Sequence, residues 1–135
     1  MNRSRAAWIA ALIAYAAVIF VVSSLPIRSA GPFDRIPRGD WLLHAAEFAL
    51  FYVLAYKATQ RGPIALLLTL LYAGTDEVHQ AFVPVRDASL ADFGFDLLGA
   101  AAMATGIAAC RRFGLLGTLR RRILGDRAGG KGKGT

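Results

Sequence analysis

The sequence predicts an all-α, polytopic membrane protein with four transmembrane helices and both termini on the cytoplasmic side. Three observations predict it. Of the 135 residues 56% are hydrophobic, with a mean hydropathy of +0.45, above the roughly 45–50% apolar share of soluble domains. Four stretches approach the length that crosses about 30 Å of hydrocarbon, and prolines, glycines and basic residues separate them. With the N-terminus inside, twelve Lys and Arg fall in inner segments and four (Arg28, Arg35, Arg38, Arg86) in outer ones, the bias that sets orientation.

The first span is AAWIAALIAYAAVIFVVSSL (6–25), which has no charge and is closed by Pro26, a residue that cannot continue a helix. A cleaved signal peptide is the rival reading. The long apolar run and Arg28, standing where a small residue is wanted, count against it. Residues 26–39 hold three prolines and read as an irregular or interfacial loop. The second span, residues 40–58, has Asp40 placed as an N-cap, Trp41 suited to the interfacial belt, and Lys57 and Arg61 at its far boundary. Pro63 opens the third span (63–82) in the first helical turn, where its missing N–H costs nothing, and Pro84 stops it. Ser89 with Asp92 resembles a capping box, so a fourth helix should start near Leu90 and run to Arg111 and Arg112. Its glycines and alanines favour close packing.

Residues 1–112 thus form the helical membrane domain, and 113–135 a basic tail, amphipathic and then disordered. Eight of the 16 Lys and Arg lie from Arg111 onward, whereas eight of the nine acids lie between Asp34 and Asp96. A basic segment beside a hydrophobic helix points to anionic lipid, and the lack of an aromatic-plus-basic motif argues against nucleic acid. Cys110 is the single cysteine, so there is no intrachain disulfide and no cysteine-based metal site.

The stretch Tyr72–Gly99 carries most of the chemistry. Charged side chains near the bilayer centre cost roughly 2.5–3.5 kcal/mol each on insertion scales, so its acids must pair, take protons or line a wet recess. At about 1.5 Å of rise per residue, Glu47, Glu77 and Asp96 all sit roughly 8–11 Å below the outer helix ends. Asp40, His44 and Glu47 share one helical stripe, as do Asp92, Asp96 and Gly99; Asp76 and Gln80 lie one turn apart. Three helices therefore turn polar edges toward a common outward-facing pocket. Its acids outnumber its bases, and the surplus calls for protons, a cation or a positively charged substrate group. Candidate catalytic residues are His44, Glu47, Asp76, Glu77 and Arg86: His44 as general base oriented by Glu47 or Asp40, and Arg86 holding an anionic head group. Asp40, Gln80, Ser89, Asp92, Asp96 and Gly99 are binding or structural members of the pocket. A metal on His44, Glu47 and Asp76 or Glu77 is conceivable, but no HExxH-type spacing supports it. No metal ligand is therefore assigned, and no cofactor can be named. The bland reading is a non-enzymatic scaffold or interaction module whose polar residues lock the helices together.

The segments DWLLHAAEF (40–48) and DEVHQAFVPVRDASLADFGFDLLG (76–99) resemble the VanZ family of bacterial membrane proteins. Asp76, Glu77, Gln80, Phe82, Pro84, Arg86, Ser89, Asp92, Asp96 and Gly99 match its signature D-E-x-x-Q-x-F-x-P-x-R-x-x-S-x-x-D-x-x-x-N/D-x-x-G position by position, and the resemblance covers roughly Val22 to Gly106. Trp41 stands where that family often has lysine, and Val85 where it usually has glycine. The resemblance implies a multi-pass protein of the bacterial inner membrane. It also implies action at the outer leaflet on a membrane lipid or lipid-linked cell-envelope precursor, with a link to glycopeptide (teicoplanin) resistance.

Overall fold

The computed structural model describes residues 3–26, 39–84, 86 and 89–114. Four α-helices make up the regular structure of these residues: α1 (Arg3–Ser23), α2 (Gly39–Thr59), α3 (Gly62–Gln80) and α4 (Leu90–Arg112). α1 and α4 are both long and apolar enough to cross a membrane. Residues 27–38 of the expected loop (26–39), residues 115–135 of the expected tail (113–135), and Val85 lie outside the described residues.

The helix ends follow the local chemistry. Pro63 occupies the first turn of α3, where its fixed φ suits the helix. The last turn of α3 tightens before Pro84: the Ala81 amide donates to the Glu77 carbonyl and the Phe82 amide to the His79 carbonyl. α2 starts at Gly39, so Asp40 stands inside the first turn rather than ahead of it. An acid there still meets the positive end of the helix dipole; the Asp40 side chain is outside what the structure describes. α4 starts at Leu90, and the Asp92 amide donates to Ser89 Oγ at 3.2 Å, which is one half of the expected capping box. The other half differs. The Ser89 amide donates to Glu77 Oε2 at 2.9 Å, so a carboxylate from α3, not Asp92, completes the cap.

α2 packs against both α1 and α3, and α1 touches α3. The start of α1 meets the end of α2, where Arg5 Nε donates to the Ala58 carbonyl at 3.0 Å and Lys57 sits 5.7 Å over the Trp8 ring. Phe48, Phe51 and Tyr72 form an aromatic core, with Phe51 and Tyr72 stacked at 4.7 Å. Two tyrosine hydroxyls tie the helices through main-chain carbonyls, Tyr15 to Glu47 and Tyr72 to Ala16.

Along α3 the buried positions are Ala65, Thr69, Ala73, Asp76, Glu77 and Gln80, a stripe at helical spacing. It begins small and apolar and ends polar. The face that packs against α2 at one end thus presents carboxylates at the other. Outside, the pattern reverses: Ile13, Leu71 and Val78 are 63%, 59% and 61% exposed. Acids thus stand inside and aliphatics outside.

α4 meets α2 at three levels. Trp41 stacks on Phe95 at 4.7 Å, His44 reaches Asp96, and Gly99 lies directly against the main-chain carbonyl of Ala45. Only a residue without a side chain fits there, since a Cβ would strike backbone that cannot swing aside. Gly94, on the same helix, has nothing within 4 Å of where a Cβ would stand. Replacing Gly99 with Ala is expected to cost about 1–3 kcal/mol through overpacking, whereas Gly94→Ala should be neutral or gain up to about 1 kcal/mol from helix propensity. Thermal unfolding of the detergent-solubilised protein checks the pair, and equal effects at both positions would refute the seam.

Candidate functional site

Because α1 and α3 run one way and α2 and α4 the other, the end of α1, the start of α2, the end of α3 and the start of α4 share one end of the bundle. The polar residues gather there.

His44 on α2 stands between the acids of α4. Its Nδ1 is 3.1 Å from Asp96 Oδ1, and its Nε2 is 3.9 Å from Asp92 Oδ2. Asp92 and Asp96 are four residues apart, so they occupy one face of α4 and both address the same ring. The acid hydrogen-bonded to His44 is thus Asp96, not Glu47. Sequence reasoning looked along α2 for the partner, whereas the partner comes from the helix opposite. Asp96 is 2% exposed, and the Gly99–Ala45 contact one turn away brings its helix close enough to reach the ring.

Glu77 is 9% exposed. Its Oε2 accepts from the Ser89 amide, while Oε1 is buried without any hydrogen-bond partner among the described residues. One donor atom each from His44, Glu77 and Asp96 lie within 4.8 Å of one another. Glu47 is close enough to interact electrostatically with His44, Asp76, Asp96 and Arg86.

Asp76 belongs to a different arrangement. Its Oδ1 accepts from the Ser23 hydroxyl at 2.6 Å and its Oδ2 from Gln80 Nε2 at 2.7 Å. Both oxygens are engaged, and together they join the end of α1 to the end of α3. His79 also turns to α1, where Nε2 lies 2.9 Å from Ser24 Oγ and the ring stacks on Phe20 at 4.5 Å. Sequence reasoning missed Ser23 and Ser24, treating α1 as a plain apolar span. The available signal was a Ser-Ser pair closing an otherwise apolar run just before Pro26.

Arg86 reaches back to α1, where an Nη donates to the Val22 carbonyl at 3.2 Å, and its Nε is buried with no partner among the described residues. Asp92 and Asp96 are brought to His44, Ser89 to Glu77, and Gln80 to Asp76; Gly99 forms the helix seam. An open groove of about 530 Å³ adjoins the cluster between α3 and α4. Gly74, Val78, Phe82 and Phe93 line it, and its wall is almost wholly apolar apart from Glu77 and Ser89.

Chemically, a histidine hydrogen-bonded to a buried acid is the arrangement of an oriented general base or of a metal ligand. A buried carboxylate with an atom within 4.8 Å of that ring, and one oxygen without a partner among the described residues, wants a proton, a cation or a donor group. The Ser23–Asp76 contact, in contrast, is a structural tie. Ser23→Ala removes a hydroxyl from a buried carboxylate and is expected to cost roughly 1.5–3 kcal/mol, the range for hydrogen bonds to charged groups. The partly buried Ser24–His79 contact should cost less when Ser24 is made Ala, and unfolding temperatures in detergent give the comparison.

A family model described as VanZ/LLP1 matches residues 8–112. No curated protein and no solved structure matches the chain. That family, with two helices long and apolar enough to span a bilayer, points to a membrane protein. The matched stretch takes in the polar end of the bundle with nearly the whole length of all four helices, and the chain belongs to the VanZ/LLP1 family.

Proposed function

We propose that this chain is a four-span protein of the bacterial inner membrane whose polar end faces outward and binds, or modifies, a lipid-linked molecule of the cell envelope. The observation that carries the reading is the groove between α3 and α4. It is an apolar slot of about 530 Å³ with Glu77 and Ser89 in its wall. A slot of that character, beside a charged cluster, suits an amphiphile whose chain lies against Val78, Phe82 and Phe93 while its head group meets polar residues. Arg86, whose buried Nε has no partner among the described residues, is the group for an anionic head such as a phosphate. His44, backed by Asp96, supplies a base should the ligand also be transformed. Anionic lipid at the basic tail is a separate partner in this proposal, and glycopeptide resistance is its cellular readout.

A second reading is favoured by one observation. Asp76 has both oxygens satisfied within the protein, as a residue locking a scaffold together would. That reading predicts that the polar residues matter for abundance and assembly alone.

Orientation can be tested by labelling. In a Cys110→Ser background, Phe82→Cys should react with a membrane-impermeant maleimide in intact cells, and Gln60→Cys only after permeabilisation. The reverse pattern would place the polar end in the cytoplasm. Ligand binding can be tested by mass spectrometry of lipids co-purifying with the protein. Val78→Trp, which fills the groove from an exposed position, and Arg86→Ala should each lower the bound phospho- or pyrophospholipid about tenfold or more, since a charged hydrogen bond contributes roughly 1.5–3 kcal/mol. An unchanged lipid profile in both variants, at normal abundance, would favour the scaffold.

A further inference from the structure

Glu77 presents a problem that a lipid head group alone does not resolve. A buried acceptor without a donor costs about 1–3 kcal/mol, more when charged, and Glu77 Oε1 is such an atom in a residue more than nine-tenths buried. The Ser89 amide engages only the other oxygen. No lysine or arginine among the described residues forms an ion pair with Oε1. What stands beside the carboxylate is a second buried acid, Asp96, and an imidazole, His44, with one donor atom of each of the three within 4.8 Å of the others.

We propose that His44, Glu77 and Asp96 form a binding site for one divalent transition-metal ion of the Zn²⁺ or Mn²⁺ kind. A cation placed among them would satisfy Glu77 Oε1 and relieve the repulsion of two neighbouring carboxylates. The donor set selects the ion. One imidazole nitrogen with two carboxylate oxygens suits Zn²⁺ or Mn²⁺, whereas Mg²⁺ and Ca²⁺ prefer all-oxygen ligation. The size fits as well. Ligands bound at about 2.0–2.2 Å stand roughly 3–4.3 Å apart, so a contact limit of 4.8 Å needs only small side-chain adjustments to close.

Geometry also names the ring nitrogen. Asp96 lies on the Nδ1 side of His44 and Asp92 on the Nε2 side. An ion shared with Asp96 therefore binds at Nδ1, leaving Nε2–H directed to Asp92. A carboxylate behind a ligating histidine orients the ring and raises its donor strength, so Asp92 is a positioning residue for the ion and not a ligand. The three ligands come from α2, α3 and α4, and the ion would fasten those helices at their polar end. The inference does not depend on lipid binding, because the ion can bind with the groove empty or filled; with the ion in place His44 is a ligand and not the base named above.

The test uses the full chain in detergent, purified by a tag without histidines, stripped with chelator, and titrated with Zn²⁺ and Mn²⁺ by calorimetry alongside elemental analysis. One ion per chain is expected, undisturbed by excess Mg²⁺. Near-isosteric Glu77→Gln and Asp96→Asn, and also His44→Ala, should each weaken binding at least about a hundredfold. Asp92→Asn should weaken it by roughly tenfold, within the 10–100-fold typical of groups behind a ligand. Size-exclusion profiles and helicity of each variant show that it is folded. Electron spin echo modulation of Mn²⁺ bound to the unaltered protein should show a single imidazole nitrogen, a readout that needs no variant. Absence of stoichiometric binding, absence of that nitrogen coupling, or wild-type affinity in folded Glu77→Gln would overturn the site.

Discussion

The whole arrangement depends on keeping carboxylates out of hydrocarbon. Glu47, Asp76, Glu77, Asp92 and Asp96 lie in or beside helices whose outward faces carry Leu71, Val78 and Leu98. An acid turned toward acyl chains would meet neither water nor a donor. The bundle meets this constraint by continuing its packing stripe into a polar one. On α3 the face that buries Ala65, Thr69 and Ala73 is the face that buries Asp76, Glu77 and Gln80. The same close packing that builds the apolar half forces the charged half inward, and the site is the far end of the core.

Within that end the acids divide into two kinds. Asp76 is fully engaged with Ser23 and Gln80 and does the work of a clasp between α1 and α3. Glu77, its sequence neighbour, turns to α4, and one of its oxygens has no partner among the described residues. Adjacent residues on a helix point about a hundred degrees apart, so one position serves the frame while the next serves the recess. This division is the physical reason a neutral amide is expected to be better tolerated in the frame than in the recess.

Much of this was legible in the amino-acid order. Charge-free length identified α1, Pro63 and Pro84 bounded α3, and Ser89 marked the start of α4. The depth argument for Glu77 and Asp96 needed only the rise of a helix, because both elements start from recognisable ends. Pairing was not legible. Whether His44 meets Glu47 or Asp96 depends on how α2 and α4 rotate against each other, and that rotation is set by the contact of Gly99 with the Ala45 carbonyl. Nothing in the local spacing of either segment encodes it. Ser23 was hidden for a similar reason, since a serine closing an apolar helix usually bonds its own backbone, and here it also reaches a different helix. Trp41, read as suited to the interfacial belt, proves to be half of an aromatic stack with Phe95, a packing role no single-residue argument could assign.

The bond between the Ser89 amide and Glu77 carries a mechanical implication. The carboxylate that belongs to the recess is also the latch on the first turn of α4, so the two cannot be adjusted separately. Anything that draws the Glu77 oxygens deeper tugs on Ser89, which lines the groove with Ala81 and Phe82. Occupancy inside and the groove wall are in this way joined through a single side chain, as a key and its bolt are.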